Sequence, residues 1–387
     1  MINRILNNIR SARFDRREFS GSLGDMGLYL PLVTAFVTVV GMDLGAILFF
    51  SGFFNILSGL LFGIPVCVQP MKAIAAVAIS EGLSSHEVLA AGILLGGILL
   101  ILGVTGLVGW LAGSIPKPIV RGIQVGIGLK LIMDGMAMIE KTGAWFQWDG
   151  YLPGIICALF ILTFFLYQRV PVALVIFFVG FIFALIKAPE ILHTLRPSFY
   201  FPHFVSLSSA DFLRGGLHGG LSQLPLTLLN SVIALCALSR ELFPEKPIRE
   251  QEISISVGLM NIVGCAFGGM PSCHGSGGLA AQYAYGARTG GSMILLGTIK
   301  MILAICLGMT LLPIFVAYPK SILGALLFFS GIELVLQVKD MQRKKDLMIV
   351  FFVVAGILSL NTLAGVLIGA VCYFISSRIW PLLERTS

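Results

Sequence analysis

Apolar residues in this chain come in long blocks rather than alternating with polar ones, and short stretches rich in Gly, Pro or charge cut the blocks apart. The block at 91–113 alone is long enough to cross a hydrocarbon core of about 30 Å as a helix. Set against the breakers, the pattern predicts spans near 23–40, 45–63, 68–81, 88–112, 118–139, 151–167 and 170–187. It then predicts spans near 217–239, 253–268, 276–287, 290–312, 320–337, 346–358 and 361–377. That is about fourteen crossings, the shortest assigned from context rather than length. Backbone polar groups in lipid must be satisfied within the segment, which a helix does and a lone strand does not. The predicted class is therefore an all-α polytopic membrane protein.

The two halves of the pattern resemble one another. Residues 55–75, NILSGLLFGIPVCVQPMKAIA, lie without gaps over 261–281, NIVGCAFGGMPSCHGSGGLAA, so that Asn55 falls on Asn261, Gly63 on Gly269, Pro65 on Pro271 and Cys67 on Cys273. PKPIV at 116–120 pairs with PKSIL at 319–323, and GSLGD at 21–25 with GGLSQ at 219–223. The predicted organisation is a leader over 1–20, a first repeat over 21–190, an external connection over 191–216, a second repeat over 217–377 and a C-terminus over 378–387. An odd number of spans per half turns the second copy upside down, and inverted repeats are a transporter signature.

Composition supports the class and sets the orientation. The chain is 57% hydrophobic and 12% charged with mean hydropathy +0.95, about half the charge density of a soluble domain. Arg4, Arg10, Arg13, Arg16 and Arg17 stand in a leader that lacks the apolar core and cleavage site of a signal peptide. With KDMQRKK at 339–345, they predict both termini in the cytoplasm and the spans in the inner membrane. The net charge of +7 is spent on such topology anchors at the ends of apolar blocks, which argues against a nucleic-acid partner. Seven cysteines without a C-x-x-C pair are read as reduced packing residues, with no metal or other cofactor. The absence of a Walker A motif excludes ATP hydrolysis, and no G-x-S-x-G elbow supports a hydrolase.

The candidate chemistry lies where helices break. Pro- and Gly-rich segments at 62–70 and 268–278 each precede a helix too short to cross a bilayer. Non-helical backbone at membrane depth is tolerated only in contact with protein or a cavity, so the two segments are expected to meet at a central site. Two helix N-termini facing one another favour an anion. Lys72 lies just inside the first half-helix and reads as its partner, or else as a lysine reaching for the interface. Asp25 and Gln223 hold equivalent places in the repeats and are expected to line the pocket, with Asp25 either the proton carrier or a plain helix cap. Ser272, His274 and Ser276 offer short polar groups to the oxygens of a small ion. Lys130 and Glu333 superpose in spans five and twelve and read as gate or coupling residues, or as locally paired charges. Arg288 is read as an anchor near the cytoplasm that could also attract anions.

The strings FGIPVCVQPMKAIAAVAIS, IPKPIVRGIQVGIGL, QLPLTLLNSVIAL and FGGMPSCHGSGGLAAQYAYGARTG resemble the signature segments of the type-1 molybdate transporters, a family related to the sulfate permeases. The resemblance covers nearly the whole chain. It implies high-affinity molybdate uptake by a seven-plus-seven inverted fold with core and gate domains. The family's marked stretches fall on Gln69, Pro70, Met71 and Lys72, and on Pro271, Cys273, His274 and Gly275. Related sulfate permeases usually append a soluble regulatory domain, and this chain is expected to lack one. The expected activity is proton-coupled symport of molybdate, with sulfate or tungstate as competitors and room for a homodimer in the bilayer. A nucleobase or bicarbonate permease of the same fold, or an anion channel, stays open as an alternative.

Overall fold

The computed structural model describes residues 2–165 and 172–378. The facing ends of the predicted spans 151–167 and 170–187, and the C-terminal segment after 378, lie outside the described residues. So does the side chain of Glu333.

The described chain is almost entirely helical. Among the described residues, four helices are long and apolar enough to cross a membrane alone: Leu44–Phe62, Ser85–Val104, Lys117–Glu140 and Gln223–Leu242. A fifth crossing is reached if Gly291–Cys306 and Gly308–Ala317 are taken as one span bent by 112°. The apolar block at 91–113 is not one helix: a left-handed Gly106 ends Ser85–Val104 and begins the short Leu107–Gly113. Helix boundaries follow local chemistry. Asp43 caps Leu44–Phe62 by accepting from Ala46 N (2.8 Å), and Gly63 at φ +68° ends it. Ser84 and Glu87 form a reciprocal capping box at the start of Ser85–Val104.

Three antiparallel partnerships organise the bundle: Leu44–Phe62 with Gly291–Cys306, Ser85–Val104 with Glu250–Ala266, and Lys117–Glu140 with Lys320–Val335. Lipid offers no hydrophobic gain for such pairing, so close packing must drive it. Glycine permits it: a Cβ on Gly128 would lie 2.8 Å from the Gly331 carbonyl oxygen, and one on Gly52 would lie 2.7 Å from that of Gly297.

Both predicted breaks are present, and they meet. Gln69–Pro70 and Ser272–Cys273 form a two-stranded antiparallel ladder, Gln69 opposite Cys273 and Pro70 opposite Ser272. Met71 N donates to Pro271 O (2.9 Å). Helices Lys72–Glu81 and Ser276–Ala284 begin directly after it. The extended backbone finds its remaining partners on the preceding helices. Asn55 Oδ1 accepts from Val68 N (3.0 Å), Ser58 Oγ donates to Val66 O, and Asn261 both donates to Ser272 O (2.6 Å) and accepts from Ser272 N (2.8 Å). Side chains of the preceding helices thereby hold the irregular backbone inside the bundle.

The helical run from Ser209 to Leu242 starts inside the predicted external connection, and it contains two π segments, Gly216–Gly220 and Thr227–Ala234, on either side of Pro225. Proline lacks the N–H that an α ladder needs, and the wider π register accommodates it.

Candidate functional site

The strand crossing brings the starts of two half-helices together, and neither has a side-chain cap of its own: the N-caps are Met71 and Gly275. Gln223 reaches the first from the π-interrupted helix, its Oε1 accepting from Ala73 N (2.8 Å) while its Nε2 donates to Thr227 Oγ1 (2.9 Å). At the second, Ser276 Oγ donates to Asn230 Oδ1 (2.5 Å). The first amides of each helix have no intrahelical partner, so a positive end faces the crossing from both sides.

Asp25 is buried, and its carboxylate does not cap the helix Met26–Thr38 that it precedes. Its Oδ1 instead accepts from Gln69 Nε2 (2.6 Å), which ties the first helix to the crossing. Gln69 Oε1 is buried without a hydrogen-bond partner among the described residues and packs against Gly275. A cavity of about 580 Å³ opens beside the crossing, lined by Lys72, Lys130, Asp134, Pro225, Asn230 and the 360–363 turn. Lys72 is half-buried in its wall, whereas Lys130 and Asp134 are exposed. Lys130 thus stands on the exposed part of the cavity lining, and Glu333 lies on the helix Lys320–Val335 that packs against its own.

Other predicted residues are turned to structural use. The His274 ring is buried between Cys67 O, 2.8 Å from Nδ1, and Ser256 Oγ, 2.9 Å from Nε2. A carbonyl only accepts, so Nδ1 donates to Cys67 and Nε2 accepts from the serine in a neutral imidazole. His274 therefore braces the two broken segments against each other and has no free ring nitrogen. Ser272 Oγ donates back to Met270 O (3.0 Å), and Pro70 contributes only its place in the ladder. The Arg288 guanidinium lies 3.7 Å over the Tyr283 ring and donates to the Tyr283 and Ala287 carbonyls, where it complements the negative end of the second half-helix.

Three groups were missed in the sequence. Asn230 is a neutral residue in an apolar run and gave no signal of its own. Lys300 carried the same signal as Lys72, a charge inside a predicted span. It is buried with its Nζ 3.6 Å above the Tyr29 ring. The third is an ion cluster at the other end of Lys117–Glu140, roughly 14 Å from Lys130 along the helix. There Arg121 grips Asp340 bidentately (2.9 and 2.5 Å), donates to Gln124 (2.8 Å) and pairs with Glu241, while Lys117 also reaches Asp340 (2.8 Å). Among the described residues no His, Cys, Asp and Glu group is placed to hold a metal.

Two stretches, 17–131 and 215–334, match the family described as molybdate transporter of the MFS superfamily. The chain belongs to the molybdate transporter family. Molybdate transporter 1 of Arabidopsis thaliana is 38% identical over 92% of this chain and 87% of its own length, and Molybdate transporter 2 of that plant is 38% identical over 85% and 80%. Molybdate transporter 1 of Chlamydomonas reinhardtii is 32% identical over 92% and 90%. In fold, the chain is similar to the transmembrane domain of a cyanobacterial bicarbonate transporter (TM-score 0.58, 15% identity, 92% of this chain and 97% of that one). It is similar also to the murine Solute Carrier 26 family member A9 anion transporter in its inward-facing state (0.65, 16%, 97% and 71%). The protein is thus a multi-pass membrane transporter and not an enzyme. Asp25, Gln69, Lys72, Gln223, Asn230, His274 and Lys300 all fall inside the two stretches matched by the molybdate transporter family.

Gly275 gives a local test of this geometry. A Cβ there would lie 3.0 Å from Gln69 Cδ and closer still to its Oε1, whereas one on Gly277 would meet only the tip of Leu131. Overpacking costs about 1–3 kcal/mol. Gly275→Ala is expected to weaken substrate binding about tenfold by displacing Gln69, and Gly277→Ala by less than about twofold. Equilibrium binding of labelled molybdate to the purified variants measures both.

Proposed function

We propose that the protein imports molybdate by secondary active transport, with the anion held between the two half-helix N-termini and Lys72. The antiparallel crossing of Gln69–Pro70 with Ser272–Cys273 carries this reading, because it brings two helix N-termini together next to a cavity that Lys72 lines. Each helix end contributes about 0.3–1 kcal/mol to an anion, and up to about 2 when partly buried. The Nδ2 donor of Asn230, a residue that lines the cavity, suits an oxygen of a tetrahedral dianion.

In this reading the shorter helices also cross, giving about fourteen spans in two inverted repeats. The helix partnerships support it: the second span with the eleventh and the fourth with the ninth are the pairs that a two-fold exchange of repeats would interconvert. Spans one to four and eight to eleven form the core, and the others form the gate against which it rocks. With both termini in the cytoplasm, the cavity opens outward at the 360–363 turn and the Arg121 cluster closes the cytoplasmic side.

A dianion entering alone would be opposed by an inside-negative potential at about 2.3 kcal/mol per charge per 100 mV. Protons entering with it reduce that cost, and Asp25 is their carrier. Uptake of labelled molybdate into proteoliposomes, with and without an inward proton gradient, tests the scheme. Accumulation that rises with the gradient and is inhibited by tungstate is expected. Equal uptake without a gradient would remove the proton, and displacement by bicarbonate but not by tungstate would change the substrate.

A further inference from the structure

Lys300 has no task in the scheme above, yet it stands in the middle of the bundle. It is 4% exposed on the helix Gly291–Cys306, and among the described residues it forms no ion pair. Its ammonium is held over the face of Tyr29, whose hydroxyl is fixed at 2.7 Å from Ser51 Oγ. That clamp keeps the side chain from reaching water. Tyr29 belongs to the helix that Asp25 begins, and its N donates to the Asp25 carbonyl oxygen (3.0 Å), so the clamp holds the Lys300 ammonium over a residue one helical turn from Asp25. A buried ammonium is costly unless a negative group balances it.

We propose that Lys300 is the tethered counter-charge of Asp25, and that bound oxyanion and the Asp25 carboxylate compete for this one positive field. The proposal rests on the oxyanion reading of the crossing. With the cavity empty, Lys300 balances an ionised Asp25. When a dianion settles at Lys72 and the helix ends, two further negative charges arrive beside that carboxylate. A proton then passes from external water to Asp25, and the field of Lys300 is released to the anion. After the core has rocked, the anion leaves and the proton passes from Asp25 to cytoplasmic water. Lys300 again balances the carboxylate for the empty return. Coupling thus follows from charge competition, with no direct contact between proton and substrate.

Among the other ionisable groups near this pair, Lys72 and Glu81 stand on the adjoining half-helix, and Cys67 and Cys273 in the two extended segments. Of the elements packed on Gly291–Cys306, Arg16–Ser22 brings Arg16, Arg17 and Glu18, and Glu18 accepts from Arg288 N. Leu44–Phe62 brings no charged residue within its bounds. Lys320–Val335, packed on Met26–Thr38, brings Lys320 and Glu333.

The test uses the full chain in proteoliposomes. Native uptake is expected to rise at least about fivefold as external pH falls from about 7.5 to about 5.5, and uptake by Lys300→Met by less than about twofold, because an uncompensated buried carboxylate takes a proton and keeps it. Equilibrium molybdate binding by Lys300→Met is expected to weaken by about three- to tenfold, because the anion loses that field but keeps Lys72 and the helix ends, and Lys300→Arg is expected to restore the pH profile. A native pH profile in Lys300→Met overturns the proposal. Loss of binding in a folded Lys300→Met also overturns it, since Lys300 would then be a ligand. Independently of any variant, molybdate added to the detergent-solubilised native protein in weak buffer is expected to draw protons from solution, and binding without proton uptake overturns the proposal. Failure of the native protein to bind molybdate would strike the substrate reading instead.

Discussion

Lys72→Ala is expected to weaken molybdate binding by about 10- to 150-fold while leaving the melting temperature of the purified protein almost unchanged. The lysine opens a ten-residue half-helix at the wall of the cavity, half-buried. A hydrogen bond to a charged group contributes about 1.5–3 kcal/mol, and here it adds to the positive helix end. The native fold does not depend on it, because the same N-terminus is already held by Gln223 at Ala73 N and by the strand ladder. Lys130 provides the contrast. It is exposed on the opposite wall, so Lys130→Ala is expected to slow association, chiefly at low salt, with an affinity loss of less than about fivefold. Equilibrium binding and association rates at two ionic strengths separate the two lysines. Native affinity in Lys72→Ala would exclude the crossing as the anion site.

Arg121→Ala is expected to open the opposite end of the molecule. The Arg121 side chain is 5% exposed, and it joins Lys117–Glu140 to Glu241 on Leu235–Leu242 and to Asp340 after Lys320–Val335. Removing one member of a buried ion pair costs about 3–5 kcal/mol, and the lower end applies because both carboxylates keep some exposure to water. If the cluster forms only while the cytoplasmic side is closed, about 3 kcal/mol moves the equilibrium towards the inward-open form by about two orders of magnitude. The readout is thiol labelling from the face on which the cluster lies, at Ile233→Cys and Ala237→Cys, which line the small cavity beside it. Labelling is expected to rise at least tenfold in the Arg121→Ala background, about 1.4 kcal/mol or more of population shift. Unchanged labelling would make the cluster a static brace.

The cluster also has a defined pH behaviour. Hydrogen bonds from Arg121 hold the Asp340 carboxyl well below its ordinary value of 3.8, at about 2. A depressed carboxylate contributes its stabilisation in full above the unfolded value and loses it only as pH falls towards the folded one. Asp340 therefore stays charged across the range in which transport is assayed.

Much of the candidate site was legible because helix breakage is a local property. Gly63, Pro65 and Pro70, and Gly268, Gly269 and Pro271, cluster closely enough that each short segment disfavours a continuous helix by its own backbone preferences, so the two interruptions could be read from the sequence. Charges inside apolar blocks were equally visible, Lys300 among them, but nothing in the sequence sets Lys300 against the Tyr29 ring. His274 misled for the opposite reason. Its position beside the break suggested a free ligand, but both ring nitrogens are taken by groups 18 and 207 residues away. The span at 91–113 was overread because hydropathy does not register the left-handed turn at Gly106.

By itself, then, the sequence determined the solvent, the helical class, the two broken segments and the excess of positive charge around them. Those follow from transfer free energies and backbone preferences, which each segment carries with it wherever it packs. Only the tertiary structure decided which groups face one another: Asp25 with Gln69, Gln223 with the amide of Ala73, Lys300 with Tyr29, and Arg121 with Glu241 and Asp340. A hydrogen bond is made or lost within a few tenths of an ångström, and here that distance is set by how helices from distant parts of the chain cross through their glycine faces.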